Sequence, residues 1–320
     1  MSVHSPTPAA GERQGVRHVE VSQEDAGQRV DNFLMRQLKN VPRSRVYRLL
    51  RKGEVRVNGK RAKPEYRMAA GDKVRIPPVR LDVERPPARV PASLVDTIRD
   101  AIVHEDADLL VIDKPAGVAV HGGSGLDFGV IEALRADRPR ETLELAHRLD
   151  RDTSGLLLVA RKRSSLRELH RLMREGLVEK HYLALLAGSW QLGRKRIDVP
   201  LATHQRQGGE RVVKAQAGGK ESATRFAPVQ FFGKRATLMD VALETGRTHQ
   251  IRVHAAYAGH PVAGDEKYGD KEFNQAMRKL GLSRMFLHAQ TVSFTWGGTG
   301  KEFTASAPLD DELKAVLDRL

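Results

Sequence analysis

A series of short apolar runs constrains the fold of this chain more than any other feature of its sequence. Five such runs occur in the carboxy-terminal two-thirds, separated by turns: LLVIDKP, GLLLVA, HYLALLAG, ATLMDVAL and TVSFTW. Short apolar runs bounded by turn-forming residues are typical of buried β-strands. The clearest helical pattern is SSLRELHRLMREG, whose leucines recur at helical spacing. Because strands and helices do not alternate regularly, we predict an α+β fold rather than a doubly wound one.

A proline-rich segment, Pro77 to Ser93, divides the chain into two parts. It has neither helical nor strand periodicity, which is typical of a linker. A length of 320 residues also suggests about two domains. We predict a disordered tail over residues 1–17, a small domain over 18–80, a linker over 81–96 and a larger domain over 97–320.

The small domain is predicted to contain two helices followed by a hairpin. Apolar residues recur at helical spacing between Ala26 and Lys39, and a second short helix follows the break NVPRS. In EVRVNGK, alternating valines precede Asn58-Gly59, a dipeptide that favours a tight hairpin turn.

Positive charge is concentrated in the small domain. The chain carries 54 Lys and Arg against 40 Asp and Glu, a net charge of +14, and residues 41–80 alone contain 13 basic and 3 acidic residues, a net +10. Basic residues cluster on the outer face and the ends of the second predicted helix: Arg43, Arg45, Arg48, Arg51 and Lys52. Because no acids are interspersed, these side chains repel one another unless a polyanion meets them. We predict that they contact an RNA backbone, the alternative being a merely solvated basic face.

The sequence of the small domain resembles a known RNA-binding unit. The stretch RVDNFLMRQLKNVPRSRVYRLLRKGEVRVNGKRAKPEYRMAAGDKVRIP is similar to the S4 domain, which is found in a ribosomal protein and in several RNA-modifying enzymes. Its core, SRVYRLLRKGEVRVNGK, carries most of the resemblance. The resemblance implies RNA as a partner but no particular reaction.

In the larger domain, the segment HRLDRDTSGLLLVARK joins a charged cluster to an apolar run. DTSG supplies turn-forming residues and LLLVA a buried strand, so Asp150 and Asp152 are predicted to lie at the end of a rigid element. An ionised carboxylate fixed there suits a nucleophile better than a general acid. The same pattern also fits a salt-bridged loop with Asp152 in an Asx turn. On these residues alone, Asp150 and Asp152 are equal candidates for a reactive acid.

Several other kinds of site are excluded or disfavoured. The chain has no cysteine, which excludes disulfides, thiolate metal sites and cysteine nucleophiles. His249, His254 and His260 match no zinc-binding spacing, so we predict no metal site and interpret them as core or RNA-facing residues. The glycine-rich HGGSGLDFG lacks the spacing of nucleotide-binding loops. No segment is apolar over the roughly 18 residues of a membrane span, so we predict a cytoplasmic protein without membrane contact.

The motifs of the larger domain together resemble the RluA-type pseudouridine synthases. They are DKPAGVAVHGG, HRLDRDTSGLLLVARK, EKHYLALLAG, LETGRTHQIRVHAAYAGHPVAGDEKYG and RMFLHA, which follow the order of the family over about residues 97–290. The resemblance implies a mixed, mostly antiparallel β-sheet with flanking helices. It also implies an isomerase that converts uridine to pseudouridine without a cofactor. Combined with the S4-like domain, it implies 23S ribosomal RNA or a large-subunit precursor as the partner.

The resemblance assigns roles to four residues. Asp150 matches the catalytic aspartate of the family, and Tyr182 matches the tyrosine beside the base. Arg247 matches the arginine paired with the aspartate, and Arg148 matches the arginine that enters the RNA stack where the target uridine leaves it. Asp152 matches no such role and is left to the turn.

The implied reaction still leaves alternatives. The N1–C1′ bond must break and C5 must join C1′, so the uridine must first leave its stack. Asp150 acts either as a nucleophile, through a covalent ester, or as a base that takes a sugar proton, through a glycal. Two other functions fit part of the pattern, namely an RNA N-glycosidase or hydrolase using Asp150 and a non-catalytic ribosomal RNA assembly factor. We expect the protein to act as a monomer.

Overall fold

The computed structural model describes residues 15–38, 41, 43–79, 89–123, 126–205 and 211–320. The chain divides into two compact units, Met1–Arg89 and Val90–Leu320. Most of the predicted tail, residues 1–14, lies outside the described residues, whereas Arg17 at its end already belongs to the first strand.

The first unit packs two helices on a small antiparallel sheet. Its elements are β1 (Arg17–Glu20), a 3-10 turn (Gln23–Asp25), α1 (Val30–Gln37), α2 (Arg43–Lys52), β2 (Arg56–Val57), β3 (Lys60–Arg61) and β4 (Lys73–Ile76). The strands are ordered β1-β4-β2-β3. Asn58 and Gly59 join β2 to β3 with φ angles of 49° and 78°, as a tight hairpin turn requires, so the predicted hairpin is confirmed. Phe33, Leu34 and Val46 lie in the core of this unit.

The second unit is built on a large mixed sheet. Its first half contains α3 (Ala92–Asp100), β5 (Ile102–Glu105), β6 (Leu109–Lys114), α4 (Val130–Asp137), β7 (Glu144–Leu145), β8 (Ser154–Ala160), α5 (Arg163–Arg174), β9 (Glu179–Ala187) and β10 (Lys195–Asp198). Its second half contains β11 (Leu201–Gln205), β12 (Arg211–Ala215), β13 (Ala223–Phe232), β14 (Ala236–Leu243), α6 (Gln250–Tyr257), α7 (Lys271–Lys279), β15 (Leu287–Thr295), β16 (Glu302–Ser306) and α8 (Asp311–Asp318).

The strand order of the large sheet is β10-β13-β14-β9-β15-β8-β6-β5, with β16 paired to β15 and β7 to β8. Among the described strands, the pair β15 and β8 is parallel and the other pairs are antiparallel. Strands β11 and β12 form a separate hairpin. The five apolar runs of the sequence correspond to β6, β8, β9, β14 and β15, which confirms the predicted α+β fold.

Strand β8 is the rigid element that carries the candidate site. All seven of its residues are buried. Leu157 and Val159 face one apolar cluster, and Leu156 and Leu158 face another on the opposite side of the sheet. Because both faces of β8 are covered by apolar residues, neither face needs polar side chains. This explains the unbroken apolar run LLLVA.

The predicted linker extends too far towards the carboxy terminus. Residues 81–88 lie outside the described residues, but residues 92–96 form the first turns of α3. Leu94 and Val95 pack against the large core, and Ile98 is buried in it. The helix starts directly after Pro91, and because proline is compatible with the start of a helix, a proline-rich composition did not exclude one.

Candidate active site

Asp150 lies in the loop that joins β7 to β8. Its carbonyl oxygen accepts a hydrogen bond from the Thr153 N–H at 3.2 Å, which closes a turn. The fully buried Lys114 holds the next residue, since its Nζ donates to the carbonyl oxygens of Arg151, Pro115 and Val118 at 2.8–3.0 Å. Burial lowers the pKa of Lys114 to about 7, whereas the three carbonyl acceptors favour its ammonium form. These hydrogen bonds therefore fix the backbone of the turn that carries Asp150.

Arg252, on α6, is the arginine that pairs with Asp150. Its Nη1 donates to Asp150 Oδ2 at 2.9 Å. Its other edge forms a bidentate pair with Asp265, with Nε–Oδ2 at 2.7 Å and Nη2–Oδ1 at 2.8 Å. Burial opposes the ionisation of Asp265, but the bonds from Arg252 and from the backbone N–H groups of Lys267 and Tyr268 lower the pKa of its carboxyl below the ordinary value. The guanidinium is therefore held between two carboxylates.

The predicted pairing of Arg247 with Asp150 is wrong. Arg247 is exposed, and its Nε donates to the Glu221 carbonyl oxygen at 3.0 Å. It belongs to the turn before α6, whereas Arg252 lies inside that helix and points towards Asp150. Arg247 still lines the same cavity as Asp150, so it remains a candidate for contact with a substrate.

His249 approaches Asp150 from a second direction. Its Nε2 lies 3.8 Å from Asp150 Oδ2, and its Nδ1 lies 2.8 Å from the Tyr268 hydroxyl. Tyr268 accepts a hydrogen bond from the Val213 N–H at 3.0 Å, and its ring lies 5.1 Å from the Arg252 guanidinium carbon. Burial lowers the pKa of His249 more than the charge of Asp150 raises it. His249 is therefore neutral near pH 7.

Arg252 and His249 approach the same oxygen of the Asp150 carboxylate. Arg252 and His249 lie against Oδ2, and Oδ1 accepts no hydrogen bond from any residue that the structure describes. The Asp150 side chain is 22% exposed, so it is open to the cavity. Oδ1 is thus the oxygen available to a reacting atom.

Tyr182, on β9, lies in the wall of the cavity. Its side chain is buried, and burial together with the charge of Asp150 raises the pKa of its hydroxyl above the ordinary value. The phenol is therefore protonated at neutral pH and can donate a hydrogen bond. Its aromatic body belongs to the main apolar core, which fixes its position.

The cavity around Asp150 has a volume of about 720 Å³, enough for a nucleotide base and its sugar. Arginines 148, 174 and 247 line it and are all exposed. The side chains of Arg148 and Arg174 make no hydrogen bond or ion pair with other residues in the described ranges. The mouth of the cavity therefore offers positive charge to an anionic ligand.

His147 lies beside the cavity and differs from His249 in its environment. Its Nε2 accepts a hydrogen bond from the Leu158 N–H at 3.1 Å. Burial, reinforced by the charge of Lys180, lowers the pKa of His147 to about 3. Burial also lowers the pKa of Lys180. His147 thus stays neutral and ties the Asp150 loop to β8.

The first unit carries the basic residues predicted to contact RNA. Arg48, Arg51 and Lys52 on α2 are exposed, and none of their side chains forms an ion pair or hydrogen bond with another described residue. Arg45 is half-buried. Arg43 opens the helix, and its side chain lies outside the described residues.

Two negative findings apply only to the part of the chain that the structure describes. Within it, no group of three or more His, Cys, Asp or Glu side chains is arranged to hold a metal ion. None of its helices combines the length and the apolar character needed to cross a membrane.

Comparison with known proteins identifies the family of the chain. A sequence profile described as RNA pseudouridylate synthase matches residues 108–257, and the S4 domain profile matches residues 28–74. Ribosomal large subunit pseudouridine synthase C of Escherichia coli (strain K12) is 53% identical over 314 residues, covering 97% of this chain and 98% of that protein. The protein of that name from Pasteurella multocida (strain Pm70) is 52% identical over 309 residues, covering 96% and 94%. The chain belongs to the pseudouridine synthase family.

Solved structures show the same relationship. Human RNA Pseudouridylate Synthase Domain Containing 1 is 29% identical, with a TM-score of 0.55 over 68% of this chain and 86% of that one. Human RNA Pseudouridylate Synthase Domain Containing 4 is 24% identical, with a TM-score of 0.57 over 71% and 95%, and supports the fold. The resemblance seen in the sequence motifs is confirmed. As a pseudouridine synthase, the protein is an isomerase.

The sequence reasoning missed several residues that surround the acid of this pseudouridine synthase. Arg252 lies in QIRVHAAY, a pattern that reads as an ordinary helix, and Asp265 lies in the turn GDEKYG. Both residues could have been found from the motif LETGRTHQIRVHAAYAGHPVAGDEKYG, because it contains them together with Arg247 and His249. Only Arg252 falls within α6, so the two arginines can be told apart once the start of the helix is known.

Proposed function

We propose that this pseudouridine synthase isomerises specific uridines of 23S ribosomal RNA to pseudouridine, using Asp150 and no cofactor. The observation that carries the proposal is the joint position of Asp150, Arg252 and Tyr182 in one cavity. The choice of ribosomal RNA rests on the named relatives that match nearly the whole chain and on the S4 domain. The basic residues of α2 supply sequence-independent contacts to its phosphates.

The first step of the reaction is to bring the target uridine out of its stack. Base flipping costs a few kcal/mol, and a group that fills the gap offsets part of this cost. We assign this role to Arg148, which is exposed two residues before Asp150 and whose side chain has no partner among the described residues. A planar guanidinium can stack on bases and also hydrogen-bond where the uracil was.

Asp150 then acts on the sugar through Oδ1. In one route this oxygen attacks C1′ as the N1–C1′ bond breaks, forming an ester that C5 of the rotated uracil displaces. In the other route it removes the C2′ proton, giving a glycal to which C5 adds while the proton returns to C2′. In both routes C5 finally loses its proton and N1 gains one, so atoms and oxidation state balance without a redox or metal cofactor.

Tyr182 and Arg247 are assigned to the base and the surrounding RNA. The raised pKa of Tyr182 keeps its hydroxyl protonated beside the base while its ring packs against uracil. Arg247 does not contact Asp150 and is exposed in the cavity wall, so we assign it to a phosphate or sugar of the substrate. We further propose that the protein acts in the cytoplasm as a monomer on ribosomal RNA or a large-subunit precursor.

The test uses ribosomal RNA from a strain that lacks this gene. Wild-type protein should produce nucleosides that retain a carbodiimide adduct and have the mass of uridine, and Asp150→Asn should produce none while still binding the RNA. Asp152→Asn is the matched control, because Asp152 is half-exposed and paired with Arg151, and it should keep the activity. Release of free uracil would instead indicate an N-glycosidase. Conversion by Asp150→Asn would contradict the role of Asp150.

A further inference from the structure

His249 has an unusual backbone conformation. Its φ and ψ angles are 54° and 21°, in the left-handed region that residues other than glycine rarely adopt. Such a conformation costs on the order of 1–3 kcal/mol and persists where the surrounding structure holds it. His249 directly precedes α6, so this conformation sets the direction in which its imidazole leaves the chain.

The contacts of His249 favour the tautomer with its proton on Nε2. Tyr268 accepts a hydrogen bond from the Val213 N–H, so its own proton is available to His249 Nδ1, 2.8 Å away. A neutral imidazole that accepts at Nδ1 carries its hydrogen on Nε2. This hydrogen faces Asp150 Oδ2 across 3.8 Å, within reach of a hydrogen bond once a substrate tightens the site.

We infer that His249 is a positioning residue for Asp150, oriented in turn by Tyr268. This inference rests on the proposed function, because it concerns the acid assigned to that reaction. Arg252 alone holds Oδ2 from one side and leaves the carboxylate free to turn about its Cβ–Cγ bond. A second donor from a different direction restricts this rotation and keeps Oδ1 directed into the cavity.

The charge of the second donor also matters. The charged and titratable groups around His249 are Asp150, Arg252, Asp265 and Lys267, with the Tyr268 hydroxyl on Nδ1. Oδ2 of Asp150 already contacts the full positive charge of the Arg252 guanidinium. A neutral N–H adds direction without a second cation, which would weaken Asp150 as a nucleophile or base. His249 therefore orients the acid while preserving its reactivity.

The test compares two replacements of His249. His249→Asn suits the left-handed backbone, because asparagine tolerates this region, but its shorter side chain cannot reach Oδ2. We expect kcat on the ribosomal RNA to fall on the order of 10- to 100-fold, with KM and Tm unchanged. His249→Gln restores an N–H donor at greater length and should recover part of the lost kcat. Tyr268→Phe, which keeps the ring over Arg252, should give a smaller loss than His249→Asn.

The outcomes separate this inference from the proposed function. Tyr257→Phe at the exposed end of α6 serves as a control and should match the wild type. Failure of the wild-type protein to form pseudouridine would contradict the proposed function. Wild-type conversion with an unchanged kcat in His249→Asn would contradict only the role of His249. Equal losses in His249→Asn and His249→Gln would also overturn it, because a donor at that position would then make no difference.

Discussion

Asp150 and Arg252 stand 102 positions apart in the chain, and their contact exists only in the folded protein. The local pattern of an acid before a turn and a buried strand indicated Asp150 and Asp152 equally, and only the resemblance to the family singled out Asp150. The partner of Asp150 could not be read in this way, since two arginines in one motif have equal claims until the start of α6 is known. The left-handed conformation of His249 has no local signal at all.

Arg252 should matter for stability as well as for activity. Replacing it in Arg252→Met leaves the fully buried Asp265 without its bidentate partner, so we expect a loss of roughly 3–5 kcal/mol in the free energy of unfolding. Arg247→Met is the matched comparison and should change stability by less than about 0.5 kcal/mol, because that side chain is exposed. Urea denaturation of both variants tests this. Equal destabilisation would contradict the assigned pairing.

His147 should make stability depend on pH in the acidic range. Its pKa in the folded protein is about 3, below its ordinary value of 6.5, so the unfolded chain binds more protons between these values. The stabilisation is therefore complete above about pH 6.5 and is lost as the pH falls towards 3. Between pH 7 and 5 the wild type should lose about 2 kcal/mol relative to His147→Gln, which keeps an acceptor for the Leu158 N–H but does not titrate. A constant difference between the two proteins across this range would show that His147 is not held neutral in the folded protein.

At the scale of elements, the strands were predictable and the first helix of the second unit was not. Strands β6 and β8 are largely buried on both faces, and each contains an apolar run, LLVI in β6 and LLLVA in β8. Helix α3 has one fully buried residue, Ile98, and begins after a proline-rich segment, so its pattern is weak. The elements with the most buried residues were therefore the ones that the sequence pattern could predict.

Gly155 joins the Asp150 loop to the parallel pair of β8 and β15. Its φ is +101°, and a Cβ atom there would lie 2.3 Å from the Ala289 carbonyl oxygen. Gly155→Ala should therefore force the two strands apart, lowering the free energy of unfolding by about 1–3 kcal/mol or more and reducing kcat. Gly298→Ala, with no atom within 4 Å of the added carbon, should differ little from the wild type. Thermal melts and turnover assays measure both effects, and a stable, active Gly155→Ala would contradict this account of the loop.

At the scale of the whole molecule, the concentration of positive charge and the candidate active site lie in different units. Residues 41–80 carry a net +10, whereas Asp150 and its partners all lie in the second unit. Each unit also has its own apolar core. Substitutions in α2 should therefore change the affinity for RNA without changing the geometry around Asp150.

The charge of α2 can be tested by the salt dependence of binding. Arg48→Ala, Arg51→Ala and Lys52→Ala combined should lower the slope of log affinity against log salt concentration by about 2 to 3, because roughly one counterion is released for each phosphate contact. Lys279→Ala, Lys301→Ala and Lys314→Ala remove the same charge from exposed positions of the second unit and should leave the slope nearly unchanged. Filter binding over a range of salt concentrations measures both slopes. Identical slopes for the two triple variants would indicate a non-specific effect of net charge.

The distance in sequence between Asp150 and its partners also sets an order of events during translation. Domains generally fold as units, amino-terminal first, as the ribosome synthesises them. The first unit, with its own core, is therefore complete long before Arg252 and Asp265 leave the ribosome. A nascent chain of this protein is expected to acquire its RNA-binding surface while Asp150 still lacks its guanidinium. Reactivity towards RNA then begins only when the last third of the chain has folded.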